Sequence, residues 1–145
     1  MKIPVAIGLL SSLTAFQTPQ APPPDLRNTS WQLVRYLSSD NVSKSPGKSK
    51  RSEYTLSFGA DGSLFVRADC DRGQGTWKTD YVPNRIFFSP VTMSRHCTSH
   101  YIHGRMVNDL TFVRSYVVDN GRLFLALMGD IGTYEFEPLS TAPVR

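Results

Sequence analysis

The chain has 145 residues, of which 40% are hydrophobic and 19% are charged, and its net charge is +4. The composition is typical of a globular protein. The length suggests one domain, since about 120 residues would remain after a leader, enough for one ordinary core but not two. The basic residues are dispersed except in the polar segment 44–51, which is predicted to be a solvated loop, with a phosphate or anionic-lipid contact as the alternative. We therefore expect no nucleic-acid partner.

The first 17 residues are typical of a secretory signal peptide. Lys2 supplies a positive charge, and residues 3–16 form an uncharged, mostly apolar run that is short for a membrane span. The alternative is an uncleaved amphiphilic anchor. No cysteine follows the run before Cys70, so we do not expect a lipoprotein. The mature protein is predicted to be periplasmic or secreted.

A proline-rich tether is predicted at residues 18–28. Residues 18–24 contain four prolines, which favour an extended chain and exclude a helix or a sheet interior. The folded domain is predicted over residues 29–138, and residues 139–145 form a C-terminal tail.

Alternating apolar residues and turn signals predict about eight short strands. In the first strand, Trp31, Leu33, Arg35 and Leu37 are predicted to share one face. Segments 54–58 and 63–68 are joined by a turn containing Asp-Gly, a strong hairpin signal. Leu64 and Val66 are predicted to share a face opposite Phe65 and Arg67. Later turns, Asn-Gly and Gly-Asp, mark further hairpins. The remaining strands are predicted at residues 75–79, 85–89, 114–118, 122–128 and 131–136.

Residues 98–113 have helical spacing. Ile102, Met106, Leu110 and Val113 form one apolar stripe along a helix. The elements together predict an α+β fold, in which a strongly bent, mostly antiparallel sheet of about eight short strands packs on one helix.

The two cysteines, Cys70 and Cys97, are predicted to form a disulfide because the domain is expected to be exported. Such a bridge would stabilise the fold by roughly 3 kcal/mol, mainly through the unfolded state. Two buried thiols are the alternative.

In order and spacing, four segments resemble the META domain family: residues 31–34 (WQLV), 67–77 (RADCDRGQGTW), 94–97 (SRHC), and 107–116 followed by 121–125. Asp71 stands where the family usually has Asn. The resemblance implies one α+β domain with a bent sheet around a helix, in an envelope or secreted protein. Some members are linked to heat shock, drug resistance, motility or secretion. The family has no established catalytic residues, so none is assigned here.

Three histidines, His96, His100 and His103, are spaced to share one face of a helix. Imidazoles in this arrangement would suit zinc or copper, with Asp69 or Asp71 as a fourth ligand. Two points favour ordinary surface histidines: a disulfide-bonded Cys97 cannot be a thiolate ligand, and His96 precedes the predicted helix. No cofactor is therefore predicted.

The sequence contains no arrangement typical of an enzyme. There is no Gly-x-Ser-x-Gly nucleophile motif and no phosphate-binding glycine loop. Asp69 and Asp71 are predicted to point to one side of a strand, beside Arg67 and Arg72, as ion pairs or turn caps. Gly73 and Gly75 are interpreted as turn or bulge glycines.

Many aromatic residues are predicted to fill the core. The alternative is that a bent sheet around one helix leaves an apolar cleft. Phe87 and Phe88, which lie on opposite faces of one predicted strand, support this alternative. We therefore predict a non-enzymatic, exported META-type domain that acts as an envelope or stress-associated structural or interaction module. The alternative is a small periplasmic binding protein for an apolar ligand, peptide or transition metal. The expected partner is an envelope protein or lipid, and the expected state is a monomer.

Overall fold

The structure is a computed structural model that describes residues 2–16, 24–94 and 101–139. These residues contain ten β-strands and one α-helix. None of the helical segments in this part of the chain has the length and apolar character needed to span a membrane. The predicted tail beyond residue 139 and the tether before residue 24 lie outside the described residues.

The strands follow one another in chain order as β1 (Thr29–Ser38), β2 (Ser43–Lys44), β3 (Tyr54–Phe58), β4 (Ser63–Ala68), β5 (Asp71–Thr79), β6 (Ile86–Phe88), β7 (Thr92–Ser94), β8 (Val113–Asp119), β9 (Arg122–Leu127) and β10 (Gly132–Pro138). The helix α1 (Tyr101–Asp109) lies between β7 and β8. Short 3₁₀ turns cover Lys48–Glu53, Leu110–Phe112 and Met128–Asp130.

All ten strands pair antiparallel in one strongly curled sheet. Eight of them follow the order β6-β5-β4-β3-β1-β10-β9-β8, while β2 pairs with β1 and β7 pairs with β5. The two ends of this order meet, since Arg85 pairs with Ser115 and the Tyr116 amide donates to the Asn84 carbonyl at 2.9 Å. The sheet is therefore nearly a closed barrel. The predicted α+β fold is confirmed, and the strand count rises from about eight to ten because β2 and β7 are too short to show a period.

The core lies inside the barrel and against α1. Met106 and Leu110 from the helical segment are buried with the inward side chains of the strands. Among the predicted core aromatics, Phe58 packs edge-on against Trp77 with ring centroids 5.2 Å apart. Two others are half exposed instead, Phe65 and Phe112. Fully buried aromatics and aliphatics include Leu33, Leu56, Leu64, Ile86, Leu123, Leu125 and Phe136.

A β-bulge changes the predicted face of β1. The register with β10 shifts between Leu33 and Arg35, and one extra residue reverses the alternation beyond it. Tyr36 is consequently buried, while Arg35 is exposed. The prediction that Arg35 and Leu37 share a face with Trp31 is wrong for this reason.

The segment 67–77 contains less turn and more strand than predicted. β5 begins at Asp71, four residues before the predicted start, and pairs with β4 up to Ala68. The turn is thus Asp69 and Cys70 alone, with Asp69 at a φ of 58°. Asp69 and Asp71 therefore do not share a strand face, and that prediction is wrong.

The two glycines of this segment lie inside β5 rather than in a turn or bulge. A Cβ on Gly73 would lie 2.1 Å from Met93 Sδ and 2.7 Å from Val91 Cγ1. A Cβ on Gly75 would lie 3.0 Å from Ser89 Oγ. The glycines leave room for residues 89–93, which run beside β5 and pair with it through β7. Close approach of a neighbouring chain is the other use of glycine within strands.

The predicted helix 98–113 is shorter in the structure. Residues 98–100 lie outside the described residues, α1 ends at Asp109, and Val113 begins β8 opposite Leu127. The apolar stripe nevertheless marks buried positions, since Met106, Leu110 and Val113 are all buried. Phe112 and Val113 are residue types that favour strands, so pairing with β9 ends the helical segment.

Two segments outside the predicted strands contribute to packing. Leu26, within the predicted tether, is 2% exposed, and the Tyr116 hydroxyl donates to the Pro24 carbonyl at 3.1 Å. In the predicted solvated loop, Arg51 lies 3.1 Å from Glu137. The loop prediction is therefore wrong for Arg51.

Candidate functional site

Cys70 lies at the turn between β4 and β5. The described residues contain no free cysteine thiol. Its predicted partner, Cys97, lies outside the described residues, so the Cys70–Cys97 disulfide stays a prediction.

The predicted metal ligands are only partly described. His96 and His100 lie outside the described residues, and His103 lies in α1 without a described side chain. Within the described part of the chain, no group of three His, Cys, Asp or Glu residues is arranged to hold a metal ion. The zinc or copper site stays a prediction.

Four polar side chains converge where α1 packs on the inner face of β1 and β10: Tyr36, Arg105, Asp109 and Tyr134, termed here the helix clamp. The Tyr134 hydroxyl donates to Asp109 Oδ2 at 2.7 Å, and Arg105 Nε lies 3.2 Å from the same oxygen. Arg105 Nη2 donates to the Tyr36 hydroxyl at 2.9 Å. The guanidinium also lies 4.5 Å from the Tyr36 ring centroid.

The helix clamp has the chemistry of a structural brace. Burial raises the pKa of Tyr134, and its hydrogen bond to Asp109 raises that pKa further. The phenol therefore stays protonated and acts as a donor to Asp109 rather than as a base. Arg105 and Asp109, one turn apart on α1, form an ion pair of the kind that stabilises helices.

The outer face of β1, β9 and β10 carries a second polar set, centred on Glu135. Glu135 Oε2 lies 2.6 Å from Arg35 Nε, and Glu135 Oε1 lies 2.6 Å from Arg122 Nη1. Burial by itself would raise the pKa of Glu135. The hydrogen bonds from Arg122 and Arg35 outweigh burial, so the pKa of Glu135 is lowered. These pairs join three neighbouring strands.

Glu137 repeats this arrangement one pleat further along β10. Gln32 Nε2 donates to its Oε1 at 2.7 Å, and Arg51 donates to the same oxygen at 3.1 Å. The pKa of Glu137 is lowered, because the hydrogen bonds from Gln32 and Arg51 outweigh the effect of burial. Both outer-face carboxylates are therefore ionised and held by cross-strand partners.

An open groove lies on the outer face of β4, β5 and β7. It has a volume of about 520 Å³ and adjoins a recess of about 170 Å³ on the β3 side. Phe65, 50% exposed, stands in the middle of this outer groove. Among the described residues, the linings of the two spaces contain two cations, Arg67 and Arg72, and no carboxylate.

Strand pairing explains how the outer groove is built. Phe65 pairs with Gln74 and Arg67 pairs with Arg72, so these four side chains lie on the same outward face. Gly73, between Arg72 and Gln74, lies on the opposite face with its cross-strand partner Val66, and there it leaves room for Met93 of β7. Arg67 Nε donates to the Asp69 carbonyl at 3.1 Å, which fixes one guanidinium at the groove edge.

Sequence reasoning found some of these residues and missed others. The alternation of β4 placed Phe65 and Arg67 together, on the face opposite Leu64 and Val66, as the structure confirms. The ion pair of Arg105 and Asp109 was missed, although their i, i+4 spacing on a predicted helix would have indicated it. The cross-strand partners of Glu135 had no such signal, because they come together only through the strand order.

The META domain model matches residues 24–138. The chain belongs to the META domain family. The match begins at Pro24, whose carbonyl accepts a hydrogen bond from Tyr116 of β8. No relative was found among curated proteins.

Two solved structures share the fold of this META domain. An NMR structure of a protein from Burkholderia xenovorans is 20% identical, covers 87% of this chain and 99% of its own, and has a TM-score of 0.66. A crystal structure of a DUF4847 family protein from Bacteroides vulgatus is 15% identical, covers 77% of this chain and 93% of its own, and has a TM-score of 0.56.

Proposed function

We propose that this META domain is exported and acts, without catalysis, as an envelope or stress-associated interaction module. Its outer groove would bind an extended, acidic segment of an envelope protein. The observation that carries the proposal is the exposed ring of Phe65 in a groove whose described lining contains Arg67 and Arg72 but no carboxylate. An acidic segment complements that charge, and an apolar side chain on it would cover the ring.

Export is supported by the state of residues 2–16. These residues form neither helix nor strand, and their large apolar side chains are at least 84% exposed. An apolar run that adds nothing to the domain core suits recognition by export machinery. The predicted Cys70–Cys97 disulfide fits an oxidising compartment.

The proposal that the domain has no catalytic activity is supported by the partners of two of its carboxylates. Asp109 is held by Tyr134 and Arg105, and Glu135 is held by two arginines. A general base needs a reachable proton acceptor with a pKa matched to its task. These carboxylates are instead occupied by structural donors.

The test places a photo-crosslinking phenylalanine analogue at position 65 of the full chain, expressed with its leader. We expect the protein in the periplasmic or secreted fraction, without reactive thiols after denaturation, and with one discrete adduct whose crosslinked peptide is acidic. The matched control carries the analogue at Phe112, which is 49% exposed and lies outside the groove.

Charge reversal then separates groove binding from chance contact. Arg67→Glu and Arg72→Glu together should abolish the adduct at position 65 while leaving the melting temperature close to that of the parent, since both side chains lie on the outer face. A cytoplasmic location would overturn the export proposal. Equal adducts at positions 65 and 112, or an adduct that survives charge reversal, would overturn the groove proposal.

A further inference from the structure

Phe87 is surrounded by three positive charges. In β6 its neighbours Ile86 and Phe88 are buried, so the ring of Phe87 lies on the outer face. The ring centroid is 5.9 Å from Lys78 Nζ, 5.4 Å from Arg85 Cζ and 6.0 Å from Arg114 Cζ. These four residues are termed the Phe87 cluster. Lys78 lies in β5, Arg85 directly precedes β6, Phe87 lies in β6, and Arg114 lies in β8.

The cluster forms at the seam where the barrel closes. Lys78 is the cross-strand partner of Phe87, and Arg85 precedes Phe87 by two residues, which puts both on one face. Arg85 also pairs with Ser115 across the seam, which brings β8 beside β6. The third cation, Arg114, therefore joins the cluster only because the barrel closes and β8 lies beside β6.

A β-bulge directs Arg114 to the cluster. The register of β8 with β9 shifts between Val113 and Ser115, so Arg114 is the extra residue between a buried valine and an outward serine. Bulges commonly redirect a side chain in this way. Arg114 Nη1 donates to the carbonyls of Thr111 and Val113 at 2.7 and 2.8 Å. The guanidinium is thus fixed in place, and its Nε and Nη2 are not used in those two bonds.

The cluster carries an excess of positive charge. Among the described residues, Asp80 is the one carboxylate at ion-pair distance from it, 3.6 Å from Arg85 Nη1. A ring attracts cations through its quadrupole but does not neutralise them. Three cations with one carboxylate therefore repel one another at the surface, and an anion bound among them would remove that repulsion.

We propose that the Phe87 cluster binds a phosphate group, either as free phosphate or as the headgroup of an anionic lipid. Two guanidiniums match the geometry of phosphate oxygens, and the ammonium of Lys78 adds a third donor from the opposite strand. The site is separate from the outer groove and is measurable on the purified protein, so it stands or falls independently of export and of the acidic partner.

Two probes distinguish the sources of phosphate. Inorganic phosphate is titrated against the full chain while the backbone amide signals of β6 and β8 are followed by NMR. Vesicles of phosphatidylglycerol, with phosphatidylcholine vesicles for comparison, are tested by co-sedimentation. We expect saturable binding to inorganic phosphate or selective binding to phosphatidylglycerol, weakened by sodium chloride.

The decisive variant is Lys78→Gln/Arg85→Gln/Arg114→Gln, for which we expect affinity to fall by about tenfold or more. The control removes the same charge elsewhere, as Arg27→Gln/Lys48→Gln/Lys50→Gln. Because its two lysines lie in segment 44–51, this variant also tests the alternative phosphate contact there, and it should bind within about twofold of the parent. If the triple variant misfolds, Lys78→Gln/Arg85→Gln keeps the Arg114 bonds and should still weaken binding. No binding to either probe, or equal losses in both triple variants, would overturn the proposal.

Discussion

Glu135 shows how one residue connects three strands. Its carboxylate side chain is 8% exposed, and it accepts hydrogen bonds from Arg35 of β1 and Arg122 of β9. The two guanidiniums are themselves nearly half exposed, so each ion pair by itself is worth little. Removing the carboxylate of Glu135 is more costly to stability, because both guanidiniums then lose the acceptor that they share.

We therefore expect Glu135→Gln to lower the free energy of unfolding by about 1–2 kcal/mol at neutral pH. Because the pKa of Glu135 is lowered from 4.5, its stabilisation is fully present above that value. It is lost as the pH falls through the folded-state pKa. Urea denaturation of both proteins across this range measures the difference, which should shrink as the pH falls below 4.5.

The control is Glu53→Gln, which breaks an exposed pair with Lys50 at 3.5 Å. We expect this change to alter the free energy of unfolding by less than about 0.5 kcal/mol. A Glu135→Gln effect that is the same at every pH would contradict an electrostatic origin.

Two elements contain a glycine whose replacement should have opposite effects on stability: Gly73 in β5 and Gly104 in α1. A Cβ at Gly73 would meet Met93 Sδ at 2.1 Å and Val91 Cγ1 at 2.7 Å, whereas a Cβ at Gly104 would meet nothing within 4 Å. The first glycine leaves room for the side chains of Met93 and Val91, beside the paired strand β7. The second only weakens the helix, because glycine loses more backbone entropy than alanine on folding.

We expect Gly73→Ala to lower the free energy of unfolding by about 1–2 kcal/mol through overpacking. Gly104→Ala should raise it by up to about 1 kcal/mol. Urea denaturation of the two variants against the parent checks both signs. A Gly73→Ala protein as stable as the parent would mean that β7 does not approach β5 as closely as the structure has it.

For the whole molecule, the residues before β1 help to complete the barrel. Leu26 is 2% exposed, and Pro24 accepts a hydrogen bond from Tyr116 of β8. Removing a fully buried leucine from the core loses about 1.5–3 kcal/mol of burial. The folded unit therefore starts before the first strand.

A chain that begins at residue 24 should melt at the same temperature as one that begins at residue 18. A chain that begins at residue 29 should have a lower free energy of unfolding, by about 2 kcal/mol. Leu26→Ala in the chain that begins at residue 24 is the matched control and should reproduce most of that loss. Equal melting temperatures for chains that begin at residues 24 and 29 would contradict the assigned burial.

The accuracy of the sequence predictions differed with the range of the interactions. β3 and β4 were predicted with their observed bounds, since alternation and the Asp-Gly turn are local signals. The end of α1 was misplaced because Val113 pairs with Leu127, a contact that helical spacing does not report. The face of Arg35 was misassigned because the β-bulge in β1 interrupts the alternation, and the apolar pattern of the sequence does not show where a bulge lies.

The sequence by itself determined the class of fold, the hairpins and the family, because turn chemistry, alternation and motif spacing act between neighbours in the chain. Tertiary structure decided the closure of the barrel, the partners of Glu135, the outer groove and the Phe87 cluster. The closure, the partners of Glu135 and the Phe87 cluster bring together side chains from strands far apart in sequence, and strand order and two bulges set where these side chains meet. The outer groove is built by β4, β5 and β7, which lie near one another in the chain, and their pairing forms it. A one-residue register shift moves a side chain to the other face, so these sites could not be read from the chain alone.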